Sequence, residues 1–155
     1  MIGMVARSSA VHSFLQLSRR NKLVLGEALL TLAAASLAIK LLPFRRTLAL
    51  MAYSGEPHEP VVTQRDRLVA QCRWAVRTWA DRVPWRAVCF QRGLALHLML
   101  HRRGIRSILH YGVAQSEVEG LRAHVWIDVS DRTVLGGEEA AEFTCVASFP
   151  DPAER

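Results

Sequence analysis

Two side chains in this 155-residue sequence have the makings of nucleophilic chemistry, Cys89 and His124. Cys89 falls just inside the start of an apolar run that reads as a helix from about Ala87 to Arg103. At a helix start, unpaired backbone amides and the positive end of the dipole favour thiolate over thiol. Arg86 and Arg92 act in the same direction. A thiolate nucleophile needs an imidazole to take its proton and later return it to the leaving group. His124 is a candidate for that work, on a segment whose alternation puts His124, Trp126 and Asp128 on one strand face and Val125, Ile127 and Val129 on the other. Spacing alone makes this a weak signal. A helical cysteine is otherwise a small core hydrophobe, and a lone histidine is otherwise a surface or satisfied core residue.

Other groupings carry less. His97 and His101 share a helix face but have no accompanying glutamate or third ligand, so exposed cationic residues and no metal site are expected. Cys72 and Cys145 lack the helix-start setting and read as packing residues. The three cysteines contain no CxxC pair, which suits free thiols in a reducing cytoplasm. Trp74 and Trp79 sit at helical spacing and read as core. Trp85, close to Cys89, is a candidate wall of a substrate cleft. Trp126 is a candidate shield over the thiolate–imidazolium pair, whose attraction grows when water is excluded.

The elements that must hold these residues follow from periodicity and punctuation. A loosely held basic segment to about residue 20 precedes a helix from about Asn21 to Leu42, which Pro43 ends because residues before proline avoid the helical region. A short helix over 44–53 and a turn-rich linker over 54–60 come next. Thr63 to Asp66 fits a helix cap, and apolar spacing carries that helix to about Ala80. After Pro84 comes the cysteine helix, with Gly104 as its terminator. Strands are expected over Ile105–Val113, Arg122–Val129 and Thr133–Leu135, with a tight turn at Ser130–Arg132. The layout is α+β: helices first, then an antiparallel meander. Residues 1–58 form a helical N-terminal extension and 59–155 the core that carries the chemistry.

Bulk properties narrow the partners. Half of the residues are hydrophobic and 22% are charged, a globular composition. The net charge of +6 suits an anionic partner, but the basic residues are spread along the chain and lack an aromatic–basic signature, so nucleic acid is not indicated. The uncharged stretch from Ala28 to Ile39 falls short of the roughly 20 residues of a spanning helix and reads as buried or interfacial. A peripheral membrane contact is its functional reading. No small-residue cleavage site follows a short apolar run, so a secretory signal is not expected.

The stretch from Trp85 to Gly104, including Trp85-Arg86-Ala87-Val88-Cys89-Phe90-Gln91-Arg92-Gly93, resembles the cysteine-helix motif of the leader peptidases of lasso-peptide biosynthesis. These belong to the transglutaminase-like branch of papain-type folds. Tyr111-Gly112-Val113 and Ala123-His124-Val125-Trp126-Ile127-Asp128 resemble the family's strand pair, and Glu27-Ala28 with Pro43-Phe44-Arg45-Arg46 resemble its opening helices. The likeness covers nearly the whole chain. It implies a papain-like, transglutaminase-like core with Cys89 as nucleophile, His124 as base, and no cofactor. It also implies removal of the leader from a ribosomally made precursor peptide, so that a separate macrolactam cyclase can act. Family members this short rely on a separate leader-recognition protein.

The sequence departs from the family at the third catalytic position, about twelve residues after the histidine in some relatives, which is Gly136 here. Asp128 shares the histidine's face but lies roughly 13 Å along the strand, too far for a direct bond. A hairpin at Ser130–Arg132 brings Gly137 or Glu138 opposite His124, which leaves Glu138 or a backbone carbonyl to orient the imidazole. Asp131 serves the turn. The backbone amide of Cys89 is the candidate oxyanion donor. Two other functions remain open: acyl transfer to an amine by the same thiol–imidazole pair, and a catalytically silent adaptor that holds precursor or transporter through its apolar helices.

Overall fold

Ser18 starts the first helix. Its hydroxyl accepts from the Asn21 amide at 3.2 Å, and helix α1 then runs over Arg19–Leu41. Leu42 turns extended ahead of Pro43, which ends the helix as proline requires. The computed structural model describes residues 16–43, 46–47, 60–116 and 120–150. The N-terminal segment up to residue 15, residues 54–59 of the expected linker over 54–60 and most of the expected short helix over 44–53 lie outside the described residues; Arg46 and Thr47 are helical.

Helix α2 spans Val62–Ala80. It begins one residue before the expected Thr63 cap: Val61 holds the cap position with no side-chain bond, and Thr63 lies inside the first turn. Helix α3 spans Cys89–His101. The turn at Gly104 ends it through an Ile105 amide bond to the Leu100 carbonyl at 3.1 Å, which also keeps residues 105–107 out of the sheet. The strands are β1 (Ile108–Ser116), β2 (Gly120–Val129), β3 (Arg132–Leu135) and β4 (Thr144–Phe149), with a one-turn helix α4 (Gly137–Ala140) before the last. The order in the sheet is β3-β2-β1-β4, with every neighbouring pair antiparallel. The first three strands form the expected meander. β4, whose Thr-Cys-Val-Ala-Ser-Phe has no clean alternation, crosses back to pair with β1.

One core joins the helices to the sheet. Ala28, Leu32 and Ala35 of α1 meet Cys72, Ala75 and Val76 of α2, Leu94 to Leu96 and Met99 of α3, and Leu109, Val125 and Ile127 from the inner face of the sheet. Two side-chain bonds fasten α1 to α2: Trp79 Nε1 donates to the Leu25 carbonyl at 2.8 Å, and Gln71 donates to Asn21 at 2.6 Å. Glu27 fastens α1 to the far end of α3 through Arg102 and Arg103, with Arg103 Nη1 at 2.9 Å. The hydrogen bond from Arg103 is the main reason the Glu27 carboxyl is held below its ordinary value.

α1 has the length and mean hydropathy (23 residues, 1.7) of a membrane-crossing helix. Its inner face is nevertheless spent on this core, with Ala28 and Leu32 fully buried. Leu23, Leu30, Leu37 and Leu41 stand exposed on its other side.

Candidate active site

Cys89 is the first residue of α3. Val88 before it is extended and supplies no side-chain cap, and the first helical bond, Arg92 N to Val88 O, is 3.2 Å long. Val88 therefore offers the opening amides of the helix no side-chain acceptor. Arg92 holds the preceding loop in place. Its Nε donates to the Ala87 carbonyl at 2.7 Å, and its Nη2 lies 3.1 Å from Asp81. The cation expected to act on the thiol thus serves the approach to it. α3 presses against the sheet at Gly93, where a β-carbon would come within 2.7 Å of Val125 Cγ1. This close contact brings Cys89 Sγ to 4.0 Å from the carbonyl of Ala123, the residue before His124.

His124 stands on β2, and its Nε2 lies 2.8 Å from the Gly136 carbonyl oxygen. A carbonyl only accepts, so Nε2 carries the hydrogen and Nδ1 keeps the lone pair that can take a proton. Gly136 follows the end of β3 with φ of +73°, a conformation that costs little only for glycine. A β-carbon there would meet the Val125 carbonyl at 2.5 Å and His124 Nε2 at 3.2 Å. The position that lacks an acidic side chain thus has no room for one, and its main chain makes the contact instead. Phe143 packs on the imidazole at 5.0 Å, and Trp126 stacks on it at 6.3 Å. Bond and rings together fix both tautomer and orientation.

Cys89 and His124 line one cleft of about 710 Å³, together with Arg77, Arg122, Glu138 and Phe143. In the resting geometry the two are not hydrogen-bonded to each other; pairs of this kind tighten when substrate docks. Glu138, the expected third member, is mostly exposed with its carboxylate 4.0 Å from Arg77, so the group that orients the imidazole is the Gly136 carbonyl. Trp85 lines neither this cleft nor the groove on the other side of Cys89, and its indole nitrogen is buried without a partner among the described residues. Trp126 also lies off the cleft wall, behind His124.

Asp128 serves a different histidine. Its carboxylate lies 3.0 Å from His110 Nε2, while His110 Nδ1 is 2.8 Å from Ser148 Oγ and the ring stacks on Trp126 at 5.4 Å. The outer face of the sheet therefore carries a row of rings, His110–Trp126–His124–Phe143, anchored at one end by Asp128 and Ser148. Neither β4 nor Phe143 was anticipated, so this row had no visible signal beyond the shared face of His124 and Trp126. Cys145 is exposed beside the row, 3.8 Å from His110 Nδ1, and is not the packing residue expected. Cys72 is a core residue, and burial pushes its thiol up to about 11. His97 is also core rather than exposed, with Nδ1 2.8 Å from Ser107 Oγ. Among the described residues no cluster could hold a metal ion.

A partly buried thiol at a helix start without a side-chain cap, sharing a cleft with an imidazole whose free nitrogen is a base, is the pair of groups that forms and resolves a thioester. Residues 29–148 match the family model described as the transglutaminase-like superfamily, whose chemistry is that of cysteine proteases and acyltransferases. No curated protein and no solved structure matches the chain.

Proposed function

We propose that this chain, which belongs to the transglutaminase-like superfamily, is a cysteine peptidase that removes the leader from a ribosomally made lasso-peptide precursor. The observation that carries the reading is the convergence of Cys89 and His124 on one cleft, with His124 Nε2 held by the Gly136 carbonyl. In papain-like enzymes the third position is filled by an asparagine amide, whose oxygen is the same kind of neutral acceptor. The finer assignment to leader removal is supported by the motifs at Trp85–Gly104 and Ala123–Asp128.

The steps follow from that geometry. His124 Nδ1 takes the Cys89 proton as Sγ attacks the scissile carbonyl, and the oxyanion is held by amides at the start of α3. Collapse of the tetrahedral species breaks the C–N bond. The leaving amine takes the proton from Nδ1, and the leader remains as a thioester on Cys89. Water, deprotonated by the same nitrogen, then releases the leader as its acid. A separate leader-recognition protein presents the precursor, and a macrolactam cyclase uses the freed amine. Acyl transfer shares every step up to the thioester and differs only in the final acceptor.

The test mixes the purified chain, a precursor and its leader-recognition protein, and follows products by mass spectrometry. Cleavage at one bond, absent with Cys89→Ala, is the expected result. A new amide in place of free leader would reassign the chain to acyl transfer. Unchanged cleavage by folded Cys89→Ala protein would remove Cys89 from the mechanism, and precursor bound but never cut would make the chain an adaptor.

A further inference from the structure

Cys89 separates two cavities of unlike chemistry. On His124's side lies the cleft already described, rimmed by arginine and glutamate side chains. On the other side runs a groove of about 410 Å³ walled by Ile39, Leu42, Phe90 and Tyr111, and Val88, Cys89, Ala123 and Val125 belong to both cavities. Two polar side chains, Thr47 and Gln91, interrupt the apolar wall of the groove. Thr47 is only 1% exposed, and among the described residues both its Oγ1 and Gln91 Oε1 are buried without a hydrogen-bond partner. Buried polar atoms in folded proteins are nearly always paired, so two orphans on one groove are an uncommon arrangement. An apolar pocket with a few polar atoms to fix orientation is what a side-chain binding site requires.

The direction of the substrate follows from the chemistry, and this step rests on the hydrolytic reading above. His124 must hand its proton to the leaving amine, so the leaving half of the peptide lies on His124's side of the sulfur. The acyl half, which stays on Cys89, extends the opposite way, toward the groove. We propose that the groove is the acyl-side subsite and takes a bulky apolar side chain bearing one hydrogen-bond donor, as tyrosine does. The apolar body fills the space between Ile39, Leu42 and Tyr111, and the donor satisfies Gln91 Oε1 or Thr47 Oγ1.

Peptidyl vinyl sulfones of three residues test this on the full chain, with tyrosine, phenylalanine, glutamate or glycine at one of the two positions before the electrophile and alanine elsewhere. The readout is the rate of Cys89 modification by intact mass. At one position the tyrosine probe should react at least tenfold faster than the glycine and glutamate probes and severalfold faster than the phenylalanine probe. Thr47→Val or Gln91→Leu, whichever removes the acceptor in use, should shrink the tyrosine-to-phenylalanine ratio while keeping the phenylalanine-to-glycine ratio, and a ratio unchanged in both variants would remove the donor bond. Equal rates for tyrosine and glycine at both positions would overturn the subsite and leave the hydrolytic reading standing. If no peptidyl probe reacts although iodoacetamide reaches Cys89, the hydrolytic reading fails. The groove is then judged by titrating N-acetyltyrosinamide into Cys89→Ala protein and following the backbone amide resonances of Thr47 and Gln91. Shifts larger than those from N-acetylglycinamide would keep the groove as a side-chain site, and equal shifts would dismiss it.

Discussion

The two ends of α3 make opposite use of the same helix physics. At the C-terminal end the loose groups are taken up: Gly104 N bonds the His101 carbonyl at 2.9 Å, Ile105 N reaches Leu100, and Arg103 Nη1 donates to the Met99 carbonyl at 2.8 Å. Arg102 and Arg103 also carry positive charge where the dipole is negative, and both reach Glu27 on α1. At the N-terminal end no side chain caps the helix, and the first residue is Cys89. A helix pinned at one end can leave its other end unsatisfied, and groups left unsatisfied by the fold remain available to a reaction.

Substitutions at the free end should abolish chemistry and spare stability. The largest effect belongs to Cys89→Ala, which should lower precursor cleavage on the order of 10⁴-fold or more. Its melting temperature should stay close to that of the parent, because Cys89 is only partly buried and contributes to no cap. A large fall in melting temperature would mean that the free end also holds the fold, and the contrast between the ends would collapse.

Gly136→Ala comes next. It forces a left-handed backbone on alanine at about 1–2 kcal/mol and drives a β-carbon against the Val125 carbonyl. With the carbonyl displaced, His124 loses its fixed tautomer, and kcat should drop by about 10²-fold. A variant that stays folded with unchanged kcat would remove the carbonyl from the mechanism.

The fixed end should respond in the opposite way. Glu27→Gln should cost about 1–3 kcal/mol of stability near neutral pH, as expected for charge-assisted bonds that lose one partner's charge, and change kcat little. The pH dependence has a definite sign. Glu27's carboxyl is lowered in the folded chain, so its contribution is complete above the unfolded value of 4.5 and disappears as pH falls through the lower folded value. Urea denaturation should show parent and variant separated at pH 7 and converging on acidification below 4.5. A gap that persisted in acid would show that the side-chain amide disturbs packing and not charge.

The smallest effect distinguishes the cysteines near the two ends. Cys72 packs near Arg103 and Glu27 with its thiol raised to about 11 by burial. Iodoacetamide at pH 7.5 should therefore leave Cys72 unmodified in the native chain while Cys89 and exposed Cys145 react, as peptide mapping will report. Early modification of Cys72 would mean that the fixed end opens.

Much of this contrast was legible in the residues. Apolar spacing and proline set α1 and α3 to within two residues, and the alternation of Val125, Ile127 and Val129 identified the core face of β2. Thr63 suggested a cap that does not form, because α2 starts one residue earlier, at Val62. β4 escaped notice because Thr144 to Phe149 mixes polar and apolar residues without period, and its place beside β1 is decided by tertiary pairing. Gly136 was visible as a missing acid. A backbone carbonyl was one of the two groups expected to orient His124; which residue supplies it was not, because the register shift of the β2–β3 pair between Ile127 and Asp128 has no side-chain signature. Asp128 shares a face with His124 but was already too far along the strand to bond it; that it pairs with His110 on the neighbouring strand was not read from the sequence.

The bond between Glu27 and Arg103 also dictates an order of assembly. It closes a span of 76 residues. During synthesis α1 leaves the ribosome well before the end of α3 exists, so the inner face carrying Ala28 and Leu32 first meets α2 alone and lacks its α3 and sheet contacts. Contacts of such long separation pay their loop-closure entropy before they are rewarded. Alignment of Cys89 should thus be a late event in folding, and the nascent chain spends the interval with the apolar face of α1 incompletely covered, the stage at which a chaperone would matter most.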